Sequence, residues 1–169
     1  HVPDGAMNAR VERAAGRQGL LATVLAFASV SAAAAECSDK PQAGVDWSGC
    51  SKERVLLEDR DLTGANFSYA FLSGISLRGS TLAGASFERT ELVRASFSDA
   101  DLTGANLEKA LASRADFGGA RLIDSRLTKV EFLRVRFVGA DLTNADLTEA
   151  ILLRNDFTGA KLAGSDLTG

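Results

Sequence analysis

The sequence predicts a solenoid, a chain wound into stacked turns around one apolar interior, and three observations lead there. An apolar residue stands at every fifth position from Leu62 to Leu167 without a slip. Two positions before each of these centres the residue is small in most repeats, 13 Ala and three Ser among 22. Gly often closes the unit, as in Thr63-Gly64, Ala83-Gly84, Thr103-Gly104 and Ala163-Gly164. A five-residue step rotates an α-helix by about 500°, which would spread the centres around its whole surface. On a strand an odd step swaps faces each time. The chain must therefore turn once per pentad, with Gly-containing pairs at the corners, and each turn must stack on its neighbours to bury its apolar side.

The first 35 residues stand apart from this pattern. Arg10, Arg13 and Arg17 precede an apolar run from Gly19 to Val30, followed by Ser31 and four alanines. A basic flank, about a dozen apolar residues and a small-residue end make a secretory signal peptide. Ala33-Ala34-Ala35 places cleavage before Glu36. A short buried helix, or a membrane anchor if cleavage fails, is the competing reading, and the run is short for a span. There is no arginine pair for the twin-arginine route, and Glu36 before Cys37 argues against a lipid-modified cysteine. His1 to Met7 read as a tag-like start. With the leader removed, no integral membrane association is expected.

Residues 36–56 read as an N-terminal segment or cap carrying both cysteines, Cys37 and Cys50. In an oxidising compartment they can close a loop around Val45, Asp46 and Trp47, a closure that stabilises by about 3 kcal/mol on loop entropy. The spacing is not C-x-x-C, which argues against redox-active thiols. Two cysteines cannot make a zinc site alone, and the one histidine is His1.

The 22 centres are 14 Leu, seven Phe and one Ala, Ala112. The small position is broken at Arg60, Ile75, Thr90, Val130, Val135 and Asn155, and the residue before the centre is often Asp or Asn. Clear copies are Ala65-Asn66-Phe67, Ala100-Asp101-Leu102, Ala105-Asn106-Leu107, Ala115-Asp116-Phe117, Ala140-Asp141-Leu142 and Ala145-Asp146-Leu147. This tandem A-(D/N)-L-x-x pattern resembles the pentapeptide-repeat proteins, over roughly residues 57–169. The resemblance implies an all-β fold, a right-handed quadrilateral parallel β-helix with four pentads to a coil. The centre and the small residue would point inward and the other three outward.

That geometry implies about 5.5 coils (22 centres over four) and a rod of roughly 26 Å. Centres of one face recur every 20 positions. One face is all leucine, from Leu62 to Leu162. Another, Leu77, Phe97, Phe117, Phe137 and Phe157, forms a candidate ring ladder. A third runs Phe67, Phe87, Leu107, Leu127, Leu147 and Leu167; the fourth is Leu72, Leu92, Ala112, Phe132 and Leu152, where Phe132 would partly fill the deficit at Ala112.

The same spacing sorts the outside. Two residues after the centres of the fourth face come Arg94, Arg114, Arg134 and Arg154, a ladder spanning roughly 14 Å. Val93, Leu111, Leu133, Ile151 and Leu153 flank it, with Glu91 and Glu131 placed to pair with Arg94 and Arg134. Arginine among apolar neighbours suits a protein interface. Stems covering apolar surface on a solvated face are the other reading, and both stay open. The Asp and Asn before the centres read as corner hydrogen bonding, since a calcium site wants several oxygens around one point.

Nothing in the sequence asks for a cofactor, a metal or a catalytic role: no histidine stands as a base, and no Ser, Cys or Lys departs from the repeat as an activated nucleophile. The expectation is a non-catalytic protein-binding or structural scaffold, exported to the periplasm or secreted, with an unknown protein partner. The balance of 19 basic and 22 acidic residues does not suggest a DNA-binding domain. The family resemblance implies an alternative, a DNA-mimicking protein that binds DNA gyrase and protects it from quinolones. Against it stand the leader, a charge near -4 for residues 36–169 (16 basic, 20 acidic) with an arginine stripe, and no helix after the last repeat. The repeats run in register to Gly169, so either the natural chain continues past it or an end-to-end homodimer forms through the C-terminal coil, near Leu162 and Leu167.

Overall fold

A computed structural model describes residues 36–169; the leader and its cleavage site before Glu36 lie outside the described residues. The backbone is left-handed at every fifth residue from Gly44 to Gly169, 12 glycines and 14 other residues. These are the positions two after each centre, so the corners expected from Thr-Gly and Ala-Gly pairs are where the chain turns. Between corners the chain runs extended for a few residues and pairs in parallel with the segment 20 residues on. Every isolated bridge, from Asp46↔Asn66 to Asp146↔Asp166, keeps that offset. The amide of Leu62 donates to Thr81 O at 2.8 Å and that of Asn66 to Val45 O at 2.9 Å, so the chain is tied forward and back to its neighbours. Buried backbone groups are thereby satisfied, and the buried polar side chains Ser80, Thr90 and Ser125 each donate to a backbone carbonyl.

Centres and small positions both point inward. Leu62, Phe67, Leu82, Ala100 and Leu102 are fully buried. The expected ring ladder forms: Phe97 and Phe117 stack at 4.6 Å, Phe117 and Phe137 at 5.2 Å, Phe137 and Phe157 at 4.8 Å. Phe132 lies 5.9 Å from Phe117 and 5.8 Å from Phe137, leaning onto the ladder from the Ala112 row.

Pairing begins at Asp46, eleven residues before the first repeat read in the sequence (57 - 46). Val45, Trp47, Cys50 and Leu57 are buried in line with the later centres and small positions. Lys52 falls on a centre position, but its ammonium sits 4.2 Å over the Trp47 ring and donates to Cys37 O. Cys37 and Cys50 are joined by a disulfide, Cα to Cα 5.6 Å.

The only three-residue strands among the described residues stack on one face: β1 (Leu111–Ser113), β2 (Glu131–Leu133) and β3 (Ile151–Leu153). They pair in parallel, Leu111↔Glu131↔Ile151 and Ser113↔Leu133↔Leu153. At most corners the small residue's amide bonds back three residues, as Ala95 does to Leu92 O at 3.1 Å. The corners after β1, β2 and β3 lack that bond, and the one after β2 is bridged from the next coil. There the Val135 amide donates to Asn155 Oδ1 at 2.8 Å, and Asn155 Nδ2 donates to Phe132 O at 3.1 Å. Asn155, an exception to the small-residue rule, thus bridges this corner from the next coil. Ser80 does the same for Arg60 and Leu57.

The carboxylates before the centres bind their own corners. Asp61, Asp141 and Asp156 each accept from the hydroxyl and the amide of the threonine two residues on, at 2.6–3.1 Å. The Thr63, Thr143 and Thr158 hydroxyls, then their amides, hold these carboxyls below the ordinary 3.8. A folded-state value below the unfolded one stabilises at and above the unfolded value and is lost as pH falls through the folded one. The melting temperature should therefore hold from neutral pH down to about pH 5 and fall below about pH 4. With Thr63, Thr143 and Thr158 changed to valine, the chain should melt lower at neutral pH yet lose less on acidification. Equal acid losses in both proteins would refute this role.

Candidate interaction face

The strand face is where the interior rule leaves apolar side chains outside. Residues on either side of each buried centre must point outward, and here they are Leu111 (46 % exposed), Leu133 (41 %), Ile151 (51 %) and Leu153 (56 %). With Val93 they line a groove of about 260 Å³, and the buried Ala112 and Phe132 lie along its floor. Its walls come from the rows of Leu92, Ala112, Phe132 and Leu152, so it runs along the solenoid axis across four coils.

Arg94, Arg114, Arg134 and Arg154 occupy the corner that edges this groove, each with φ between 55° and 59° and each exposed. A left-handed backbone is unfavourable for a residue with a Cβ, by about 1 kcal/mol or more relative to glycine. Even so, one corner column carries arginine at four successive coils. None of the four makes an ion pair among the described residues. Three exposed cations elsewhere sit one coil from carboxylates, Arg121 on Asp101 at 3.5 Å, Arg136 on Asp116 at 2.8 Å and Lys161 on Asp141 at 3.6 Å, while Arg60, Arg78 and Arg126 are also without an ion pair among the described residues.

The expected pairing of Glu91 with Arg94 and Glu131 with Arg134 does not form. The extended segment between them carries the glutamate to one edge of the face and the arginine to the other. Glu91 accepts from Ser73 Oγ at 3.3 Å instead. On that far edge the corner cations are each paired, Arg89 with Glu88 at 3.8 Å, Lys109 with Glu108 at 3.1 Å and Lys129 with Glu149 at 3.5 Å. The hydrogen bond from Lys109, against an opposing effect of burial and aided by the charges of Lys109, Arg126 and Lys129, holds the Glu108 carboxyl below its ordinary value.

Two residues of the face were overlooked in the sequence. Arg54 lies in the arginine column, one coil beyond Gly74, with its Cγ 3.2 Å from where a Gly74 Cβ would stand. Phe71, 49 % exposed, precedes the Leu72 centre. Both follow from stepping back by 20 from Glu91 and by 40 from Arg94. Leu162, half-buried, and Leu167, exposed, lie in the last paired turns.

A chain with a 20-residue parallel register and two inward residues per pentad is a parallel β-helix, built to display surfaces. The family model for pentapeptide repeats matches residues 61–99, 90–128 and 136–169. The chain belongs to the pentapeptide-repeat family, whose fold is a right-handed parallel β-helix. Among solved structures it is similar to a pentapeptide repeat protein of the Arabidopsis thaliana thylakoid lumen, with 24 % identity, TM-score 0.45, and 69 % of this chain and 67 % of that one covered. It is also similar to HetL of Nostoc sp. strain PCC 7120, a protein involved in heterocyst differentiation regulation, with 26 % identity, TM-score 0.35, and 72 % and 68 % covered. QnrB1, a plasmid-mediated fluoroquinolone resistance protein, is similar at 19 % identity and TM-score 0.33, with 78 % and 71 % covered. Among curated proteins none matches.

Proposed function

We propose that the chain is a non-catalytic binding module, exported from the cytoplasm, that takes a protein partner on the face of Leu111, Leu133, Ile151 and Leu153 beside the arginine column. One observation carries the reading: an apolar sheet surface stands open next to four stacked arginines that make no ion pair among the described residues. Apolar area with arginine is the composition of protein interfaces, and a partner's carboxylates would relieve the repulsion along the column. The frame we assign is a four-sided coil of four pentads, about 5.5 coils over residues 57–169, in keeping with the 20-residue register. The Cys37–Cys50 disulfide supports export, since such bonds persist in oxidising compartments. The DNA-mimicking alternative needs carboxylates presented outward, and the arginine column runs against it.

Photo-crosslinking tests this in a bacterial host that processes secretory leaders. A photo-reactive phenylalanine replaces Leu133 in the full chain, or Asp124 on another corner as control. Protein adducts should form from position 133 and not from 124, on a chain recovered outside the cytoplasm with Glu36 as its first residue. Equal yields from both positions would sink the binding face. An unprocessed cytoplasmic chain would sink export.

A further inference from the structure

Resting on that reading, we infer that the face receives an amphipathic α-helix lying along the solenoid axis, with its apolar seam in the groove and a row of carboxylates on Arg94, Arg114, Arg134 and Arg154. The direction follows from the groove, whose lining comes from four successive coils rather than from one strand. A partner segment must therefore repeat its contacts along the axis, where the rungs are about 4.8 Å apart. An α-helix places one residue per turn on a given flank, a step of about 5.4 Å. Over three rungs the mismatch grows to less than about 2 Å, within the reach of flexible arginine side chains. A strand laid in the same direction presents one face every two residues, about 6.7 Å. Its mismatch passes about 5 Å over the same three rungs, so a strand would meet every arginine only by buckling.

Width and charge agree. Five residue steps separate the corner of Arg89 from that of Arg94, which puts the two edges of the face no more than about 17 Å apart. A helix with its side chains is about 10–12 Å across, so the face has room for one helix at most along the axis. Unpaired cations stand on one edge only, while Glu131 lines the groove on the other. The Arg89, Lys109 and Lys129 edge is already matched by Glu88, Glu108 and Glu149, whereas the arginine edge has no partner among the described residues. The occupant is accordingly acidic beside its seam on one flank. A second copy of this face would bring only a few carboxylates, Glu53, Glu91 and Glu131, to the arginines. An anionic bilayer would satisfy the charge but not the shape, because the apolar side chains line a furrow rather than stand on a ridge.

The probe is a synthetic peptide of about 18 residues, long enough to run past the four rungs, with a leucine seam and glutamate on one flank. Three comparisons go with it: the same peptide with lysine for glutamate, one of equal composition interrupted by proline, and vesicles of phosphatidylcholine with phosphatidylserine. The full chain is titrated against each, reading peptide anisotropy and peptide helicity. The glutamate peptide should bind, gain helix and weaken with salt. The lysine and proline peptides should bind at least about tenfold more weakly. Changing all four arginines to glycine, which the left-handed corners accept without strain, should weaken the glutamate peptide by at least about tenfold while the melting temperature holds or rises. Equal binding of the lysine or proline peptide overturns the inference. So does flotation with the vesicles that is lost in Leu133→Asp. If no peptide binds while position 133 still crosslinks to a protein, the acidic helix is wrong and the binding face stands.

Discussion

Replacing Phe117 with alanine should lower the stability of the chain by about 3–5 kcal/mol, the range for emptying a phenylalanine-sized site in a core. Its ring is fully buried, stacked between Phe97 at 4.6 Å and Phe137 at 5.2 Å and touched from the side by Phe132 at 5.9 Å. The cost should sit at the upper end because the space cannot close. The coils above and below are held in register by backbone bonds, including the Phe117 amide to Arg136 O at 2.7 Å. Moving one coil inward would break several of them. Phe157 is the internal control. It is half-buried and stacks on Phe137 alone, so Phe157→Ala should cost about 1–2 kcal/mol. Urea unfolding followed by far-ultraviolet circular dichroism measures both. The two variants losing equal stability would mean that the rings do not act as a ladder.

Side-chain size makes the fold readable, and contacts between coils make part of it unreadable. Leu62, Phe97 and Ala100 announce their places because a position at the axis admits only a residue of the right bulk, and the five-residue step repeats that demand. Corner carboxylates such as Asp61 and Asp141 are readable for a similar reason, since the bond to the threonine two residues on is local. The start of pairing at Asp46 was hidden. Trp47 and Lys52 occupy centre positions without being Leu or Phe, and Lys52 serves the end of the stack by covering Trp47. The three strands were hidden too, and at the corner after β2 the bonds come from the next coil. Asn155 reads as a broken repeat until its bonds to Val135 and Phe132 are known. The face itself was legible as a 20-residue recurrence of Arg94, Arg114, Arg134 and Arg154. Its ion pairing was not, since sequence proximity of Glu91 to Arg94 says nothing about which edge of an extended segment each occupies.

Changing Cys37 to serine and Cys50 to alanine should destabilise the N-terminal end by about 3 kcal/mol, the entropy of closing a loop of this length, and should leave the middle of the chain untouched. The two cysteines are 13 residues apart in sequence, and their bond brings Cys37 alongside the first paired turn. There Lys52 both caps the Trp47 ring and donates to the Cys37 carbonyl, so losing the bond also loosens the lid over Trp47. Coils of a solenoid touch only their neighbours, and stability accordingly sums from unit to unit. A loss at one end then appears as local opening rather than collapse of the whole. Hydrogen exchange resolves the difference. The amides of Trp47 and Gly49, bonded to Asn66 O and Ser68 O at 2.8 Å, should exchange about a hundredfold faster, because each factor of ten corresponds to about 1.4 kcal/mol. Those of Leu122 and Leu127, bonded at 2.7 Å in the middle of the stack, should keep their rates. Uniform acceleration along the chain would show that the disulfide supports one cooperative unit, and unchanged exchange at Trp47 would show that the first turn holds without it.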